Sequence, residues 1–198
     1  LGQAGTEFVI HTFNTDSAGT PVLTIGTPIA ANGLVKAGGA ALSLTANSTY
    51  AGPTTVGAGY LQVLNPITSA TDSATSSGAV TTFPGTFLLG GNATGTAGQI
   101  TGPVTVGGTL IPGTLTGGGV AGILTVRNTV TFNPDQPATF TVLLGGNTPG
   151  SQYSQLKVIG GDVVLNGAVL SASGTPAGPQ TIISVTGGTV SGLLSNSG

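Results

Sequence analysis

Short apolar runs closed by glycine, asparagine or proline are the feature that most constrains how this chain can fold. Runs of this length are too short for helices but match short β-strands, and the residues between them are typical of turns. Many runs alternate aliphatic with small polar residues, as in residues 42–45 (LSLT), 104–106 (VTV) and 124–126 (LTV). Because side chains alternate between the two faces of a strand, this pattern predicts one buried and one exposed face. We therefore expect an all-β protein with almost no helix.

Glycine-rich breaks separate the runs along the whole chain. Glycine adopts a positive φ at tight corners without steric cost, and the breaks include Gly38-Gly39, Gly107-Gly108, Gly117-Gly118-Gly119, Gly145-Gly146-Asn147 and Gly160-Gly161. Two architectures accommodate such strands: a β-sandwich, and a parallel β-solenoid whose coils of about 20 residues contribute two or three strands each. A sandwich core usually holds more aromatic residues than the 5% found here. We therefore favour the solenoid, with on the order of nine or ten coils, and keep the β-sandwich as the alternative.

The chain has few charged residues, and this predicts which classes of partner it does not bind. Only 4% of residues are charged and the net charge is −2, with three basic residues: Lys36, Arg127 and Lys157. So few cations cannot neutralise a row of phosphates or hold the chain at an anionic lipid surface, so we expect neither nucleic acid nor membrane partners. No apolar stretch approaches the roughly 18 residues of a membrane helix, so we expect no membrane insertion.

The residues that usually carry catalysis are few and scattered. No two acidic residues are closer in sequence than nine positions, and they are Glu7, Asp16, Asp72, Asp135 and Asp162. Acid–base cleavage of polysaccharides needs carboxylates paired at a fixed separation. His11 is the sole histidine, and cysteine is absent, which leaves too few ligands for a transition metal and no nucleophilic triad. We predict no catalytic, cofactor-binding or metal-binding residues, and no enzyme.

Three polar features have more than one interpretation. Residues 133–137 (NPDQP) could offer oxygen ligands to Ca²⁺, but turn chemistry alone explains one carboxylate between two prolines. Residues 68–78 lack large apolar side chains and predict a protruding loop. Outward threonines could form a ladder that contacts glycans, although exposed strand positions favour Thr in any case; they are Thr105, Thr125, Thr129, Thr131, Thr139 and Thr141.

Residues 33–64 resemble the autotransporter-associated β-strand repeat of bacterial surface proteins. The matching positions are Gly33-Leu34, Lys36, Leu42-Ser43-Leu44, Asn47, Thr49-Tyr50, Gly52, Thr54-Thr55-Val56, Gly59 and Leu61-Gln62-Val63. Residues 77–83, 98–113, 122–134 and 153–171 resemble the segments that follow such repeats, whereas Pro53 replaces the usual glycine. The resemblance implies a right-handed parallel β-helix of exported passenger type, whose repeat carries no catalytic residues.

These observations predict two regions and a structural role. Residues 1–32 are expected to form an N-terminal cap or intersubunit strand region, and residues 33–198 a β-solenoid with a Ser/Thr-rich loop near 65–78. The expected function is that of a non-catalytic extracellular structural protein, a subunit of a cell-surface layer or self-associating fibre; the alternative is an adhesive or glycan-binding passenger module. The expected partners are further copies, joined through the solenoid ends, and surface glycans. The expected location is extracellular or on the bacterial cell surface.

Overall fold

The computed structural model describes residues 1, 5–13, 21–91, 98–114, 119–136 and 138–196. Within these ranges the chain forms strands and turns and no helix, as the short alternating runs predict. The first strands are β1 (Glu7–His11), β2 (Pro21–Ile25), β3 (Gly33–Ala37), β4 (Ala41–Leu44), β5 (Thr54–Val56), β6 (Tyr60–Val63), β7 (Val80–Thr82), β8 (Phe87–Gly90) and β9 (Gly98–Ile100). They are followed by β10 (Val104–Val106), β11 (Thr109–Thr114), β12 (Val120–Ala121), β13 (Ile123–Val126), β14 (Val130–Phe132), β15 (Thr139–Leu144), β16 (Gln155–Ile159), β17 (Val163–Val164), β18 (Val169–Gly174), β19 (Ile183–Thr186), β20 (Val190–Ser191) and β21 (Ser195–Asn196).

Three sheets run along the molecule, and successive neighbours in each sheet come from successive coils. The first sheet has the order β1-β3-β5-β7-β10-β14-β17-β20, the second β2-β4-β6-β8-β11-β15-β18-β21, and the third β9-β13-β16-β19. All of these neighbours pair in parallel, and β12 adds one antiparallel pair to β11. The predicted fold class, a parallel β-solenoid, is confirmed, and the chain does not adopt the sandwich.

The coils are longer than the run pattern suggests. In-register partners of the first sheet are 20 residues apart from Leu34 to Thr54, but 33 residues apart from Val130 to Val163. The eight strands of that sheet correspond to about seven turns, so the expectation of nine or ten coils is wrong. The corners and the third side contain additional residues, and the number of these residues cannot be read from the pattern of strand runs. At about 4.8 Å per coil the stack is roughly 34 Å long.

Columns of in-register side chains fill the interior. In the second sheet one column consists of Leu42, Leu61, Leu88, Leu110 and Phe140, which have no exposed surface. In the first sheet the corresponding column contains Val80, Val104, Val130 and Val163, which are equally buried. The residues that alternate with these, such as Thr55 and Thr105, lie on the outer face. The alternation of aliphatic and hydroxyl residues in the sequence therefore predicts the inside and the outside of the wall.

Residues 1–32 and the Ser/Thr-rich segment both join this wall. β1 and β2 lie in parallel register with β3 and β4, so the first region extends two of the sheets; a role as cap or intersubunit strand stays a prediction. The segment near 65–78 contains no strand, and its residues 68–71 are exposed. Residues 73–76 are buried. Within them, Ser73 Oγ donates to the Ser76 carbonyl and accepts from the Thr101 N–H. Only the first part of this segment protrudes.

A stack of hydrogen-bonded polar side chains links four successive coils beside the third side. Asn65 Nδ2 donates to Asn47 Oδ1 at 2.6 Å, and Asn65 Oδ1 accepts from the Gln99 backbone N–H at 2.8 Å. Gln99 Oε1 accepts from Arg127 Nε at 2.8 Å, while Gln99 Nε2 donates to the Asp72 carbonyl at 2.6 Å. The buried side chains of Asn65 and Gln99 thus find their partners on neighbouring coils and loops. The stack connects the irregular third side of the early coils to the third sheet of the later ones.

Glycines stand where consecutive coils approach most closely, at the corner that precedes the first sheet. A Cβ added to Gly52 would lie 1.7 Å from the Asn32 carbonyl oxygen, one added to Gly78 would lie 1.8 Å from that of Gly52, and one added to Gly102 would lie 1.9 Å from that of Gly78. Any side chain at these positions would collide with backbone of the preceding coil. This column of glycines therefore lets the corner keep the same spacing as the strands.

We expect Gly78→Ala to destabilise the fold by about 1–3 kcal/mol, because the new methyl group forces two coils apart. Gly57→Ala is the matched control, since its Cβ would meet nothing closer than the Lys36 carbonyl oxygen at 3.7 Å. Urea unfolding of both variants measures the difference. Equal stabilities of the two variants would show that the corner does not limit the coil spacing.

Lys36 points into the interior column between Ile10 and Val56 and has no exposed surface. Its Nζ donates to the carbonyl oxygens of Ala37, Gly38 and Ala58 at 2.9, 2.7 and 3.0 Å, which joins the corners of two consecutive coils. Burial lowers the pKa of Lys36 from its usual 10.5 to about 8, because the charged form loses its hydration. The resemblance marks this lysine as a repeat position, but its inward orientation appears only in the fold.

The pKa of Lys36 predicts a specific pH dependence of stability. Between about pH 8 and pH 10 the unfolded chain holds a proton that the folded chain has released, so the free energy of unfolding contributed by Lys36 rises with pH. We expect the stability of the wild type relative to Lys36→Met to increase across this window. Lys157→Met, which removes an exposed lysine, is the control and should keep the wild-type pH dependence. Parallel curves for the wild type and Lys36→Met would contradict the assignment.

Candidate functional site

The acidic residues of the described chain lie in separate places. Asp72 closes a turn, where its Oδ2 accepts from the backbone N–H groups of Thr68 and Ser69 at 2.6 and 2.8 Å, and these bonds lower the pKa of Asp72. Asp162 Oδ1 accepts from the Thr189 N–H at 2.7 Å. Asp16 lies outside the described residues. In the part of the chain that the structure describes, no three His, Cys, Asp or Glu side chains form a metal site.

His11 lies at the end of β1, on the outer face that it shares with Glu7 and Val9. Its ring stacks on Phe13 with centroids 5.8 Å apart and an angle of 15° between the planes. Both side chains are exposed. The arrangement is that of a surface histidine packed on an aromatic neighbour.

The outer threonines form columns only in part. In the first sheet Thr55, Thr81, Thr105 and Thr131 are in direct register, with Val35 before them and Val164 after them. Thr139 and Thr141 lie on the second sheet and Thr129 at the corner before β14. Thr125 was expected to face outward and exposed, but it is buried between its in-register neighbours Gln99 and Lys157. The longer side chains of these two residues account for its low exposure.

Residues 133–136 form a turn at the corner between the first and second sheets. Asn133 Oδ1 accepts from the Asp135 N–H at 3.0 Å, which is a local turn bond, and Pro137 lies outside the described residues. Asp135 supplies the single carboxylate in this turn. This geometry agrees with the interpretation of the segment as a turn.

A cavity lies at the open end of the first coil. It has a volume of about 590 Å³ and is lined mainly by Phe8, Ile10, Leu23 and Ile25; we call these four residues the N-terminal end face. Phe8 and Ile10 continue the interior columns that begin with Leu34 and Lys36 on the next coil. Leu23 is 39% exposed. Ile10 and Ile25 are nonetheless buried, so interior positions face solvent at this end only in part, at Phe8 and Leu23.

The strand at the N-terminal end face has one unpaired edge within the described residues, where β1 pairs with β3 alone. The Thr6 carbonyl accepts from Asn32 N–H and the Thr12 N–H donates to Ala37, so even-numbered residues of this segment face β3. Backbone groups alternate in direction along a strand, so those of Glu7, Val9 and His11 point away from the coil stack. No other described strand pairs with them.

The C-terminal end of the solenoid is also only partly covered. We define the C-terminal end face by Ile183, Val185, Val190 and Leu194, which continue interior columns and are only partly covered. Val190 is 49% exposed although its in-register neighbour Val163 is fully buried. The strands β19, β20 and β21 carry no charged residue. Sequence reasoning anticipated open ends as a property of solenoids, but the residues that form them could be identified only once the strand registers were known.

Comparison with known proteins gives one match, and it falls on the wall between the two ends. A family model described as the passenger-associated-transport-repeat matches residues 34–63, which span β3 to β6. No curated protein and no solved structure matches the chain. No helix in the described ranges has the length and hydropathy required to cross a membrane. The matched repeat and the parallel solenoid that contains it fit a protein with an autotransporter passenger-type β-helix repeat.

Proposed function

We propose that this solenoid is a non-catalytic structural domain of a cell-surface or secreted protein, and that its copies join through their ends into a surface layer or fibre. The passenger-type repeat at residues 34–63 supports the location. The dispersed acidic residues and the stacked histidine support a role without catalysis. A continuous parallel ladder with a packed interior supports a stiff, load-bearing role, because each coil is held by backbone hydrogen bonds along its sides.

The observation that carries the proposal is the pair of end faces, each of which is only partly covered. Each presents a partly exposed interior position, Leu23 at one end and Val190 at the other, together with a strand edge that is unpaired within the described residues. Exposed strand edges are templates for pairing with another chain, and proteins that stay monomeric usually block them with charges, prolines or covering segments. The strands of the C-terminal end face carry none of these charges.

The polarity of the coils determines the geometry of such an assembly. All sheet neighbours along the axis are parallel, so the last coil of one copy can continue into the first coil of the next in the same direction. A head-to-tail contact between two different surfaces does not close on itself unless the rotation returns to the start, and it therefore generates a filament. The net charge of −2 offers little repulsion between copies.

We expect Val9→Pro to weaken this association while keeping the fold. The Val9 N–H points away from β3, so proline removes an edge donor without breaking the β1–β3 ladder. Val9→Thr is the matched control, because it keeps both the N–H and a β-branched side chain. Val190→Lys places a charge on the C-terminal end face and should have the same effect as Val9→Pro. Sedimentation velocity over a concentration series, with negative-stain microscopy, measures the assembly.

Two outcomes would count against the proposal. A wild-type protein that stays monomeric at every concentration would remove the assembly altogether. Assemblies that form equally well with Val9→Pro and Val190→Lys would show that copies associate through the sides of the solenoid and not through its ends.

A further inference from the structure

One corner of the solenoid is larger than closure of the coil requires. The turn from the first to the second sheet takes only Gly107 and Gly108 between β10 and β11. In the next coil the same turn takes residues 133–138, and in the following coil it takes residues 165–168. The same turn takes three or four residues at 38–40, 57–59 and 83–86, so the six positions between β14 and β15 are more than closure of the coil requires.

The turns at residues 133–138 and 165–168 enclose a groove of about 320 Å³. This volume lies at the lower end of the range for small-molecule sites. Its floor is apolar and contains Ala138, Ala168 and Val169, of which the two alanines are buried. Its rim is polar and contains Asn133, Asp135, Gln136 and Asn166.

Hydrogen bonds hold both walls of the groove in place. Asn166 Nδ2 donates to the Phe132 carbonyl of the preceding coil at 2.7 Å, and Asn166 itself adopts a φ of 49°. The Ala138 N–H donates to the Gln136 carbonyl at 2.7 Å, and the Val169 N–H donates to the Ala138 carbonyl at 2.9 Å. The floor strands are part of the second sheet. The groove is therefore preformed, and binding would order few additional groups.

Several polar atoms of the rim have no partner among the described residues. They are the Asp135 carboxylate oxygens, Asn133 Nδ2 and Asn166 Oδ1, whereas the Gln136 side-chain oxygen lies against Gly107 of the preceding coil. This set combines acceptors with donors, and the floor between them is apolar. A ligand with hydroxyl groups, each of which donates and accepts, on a compact carbon ring has the same combination.

The charges around the groove argue against an anionic ligand and against calcium. The three basic residues lie elsewhere: Lys36 is buried near the start of the solenoid, Arg127 directly follows β13 of the third sheet, and Lys157 lies in β16 of that sheet. An anionic ligand would therefore meet only Asp135. Calcium takes about 6–8 oxygen ligands and several carboxylates as a rule, whereas this groove has one carboxylate.

We propose that this corner groove binds a neutral saccharide, with one sugar ring on the floor of Ala138, Ala168 and Val169. The Asp135 carboxylate hydrogen-bonds its hydroxyl groups, and Asn133 and Asn166 contact its edges. The proposal does not depend on end-to-end assembly, because the groove opens on the side of the solenoid, with one wall stacked on the last coil.

The test is a ¹H–¹⁵N NMR titration of the full chain with cellotriose, maltotriose and triacetylchitotriose. We expect at least one of the three to shift the amide signals of Asn133, Asp135, Gln136 and residues 165–169 and to leave those of β3 to β6 unchanged. Asp135→Ala should raise the dissociation constant about tenfold, since it removes a charged hydrogen-bonding group. Glu7→Ala removes an exposed carboxylate at the far end of the chain and should leave binding unchanged.

The spectra also show whether the variants are folded, because both substitutions lie on the surface and distant signals should keep their positions. Absence of shifts with all three sugars would overturn the proposal. Shifts produced by CaCl₂ and not by the sugars would overturn it in favour of a cation site. Sugar binding that is unchanged in Asp135→Ala would place the ligand elsewhere and overturn the proposal.

Discussion

Every coil of this protein must stay within hydrogen-bonding distance of the next one around most of its perimeter. The spacing between hydrogen-bonded strands is about 4.8 Å, and the corners have to accept the same spacing although they contain no strand. Gly52, Gly78 and Gly102 meet that requirement at one corner, where a methyl group would overlap the carbonyl of the preceding coil. The columns of Leu, Val and Thr along the sheets follow from the same constraint, since equal spacing keeps the residues of successive coils in register.

The places where this regularity is interrupted are closed by polar contacts. The early coils have irregular chain on their third side, and there Asn47, Asn65 and Gln99 are bonded from coil to coil. Lys36 performs a similar task at a corner, where one ammonium group binds three carbonyls, of which those of Gly38 and Ala58 lie outside the strands. Such groups are costly to bury unless each donor and acceptor is satisfied. Their presence explains how a chain with few charges can still place some of its polar residues inside.

Much of the wall could be predicted from sequence, because its cause is local. Runs such as 104–106 alternate with period two, and this alone assigns Val104 and Val106 to the interior and Thr105 to the surface. The length of a coil is not a local property, since it depends on how many residues each corner and each third side accept. For that reason the number of coils was overestimated, Thr125 was placed on the surface, and the burial of residues 73–76 was missed. The groove lies between turns of two consecutive coils, whose in-register residues are 33 positions apart in the sequence. No single segment of the sequence could therefore reveal it.

The central claim is the parallel register of successive coils, and engineered disulfides test it directly because the chain has no cysteine of its own. Thr81 and Thr105 are in-register neighbours on the outer face, whereas Thr81 and Thr131 are two coils apart. A disulfide needs Cα atoms within about 7 Å, so Thr81→Cys with Thr105→Cys should oxidise to a bridge, and Thr81→Cys with Thr131→Cys should leave two free thiols. Bridge formation in the second pair, or its absence in the first, would contradict the solenoid described here.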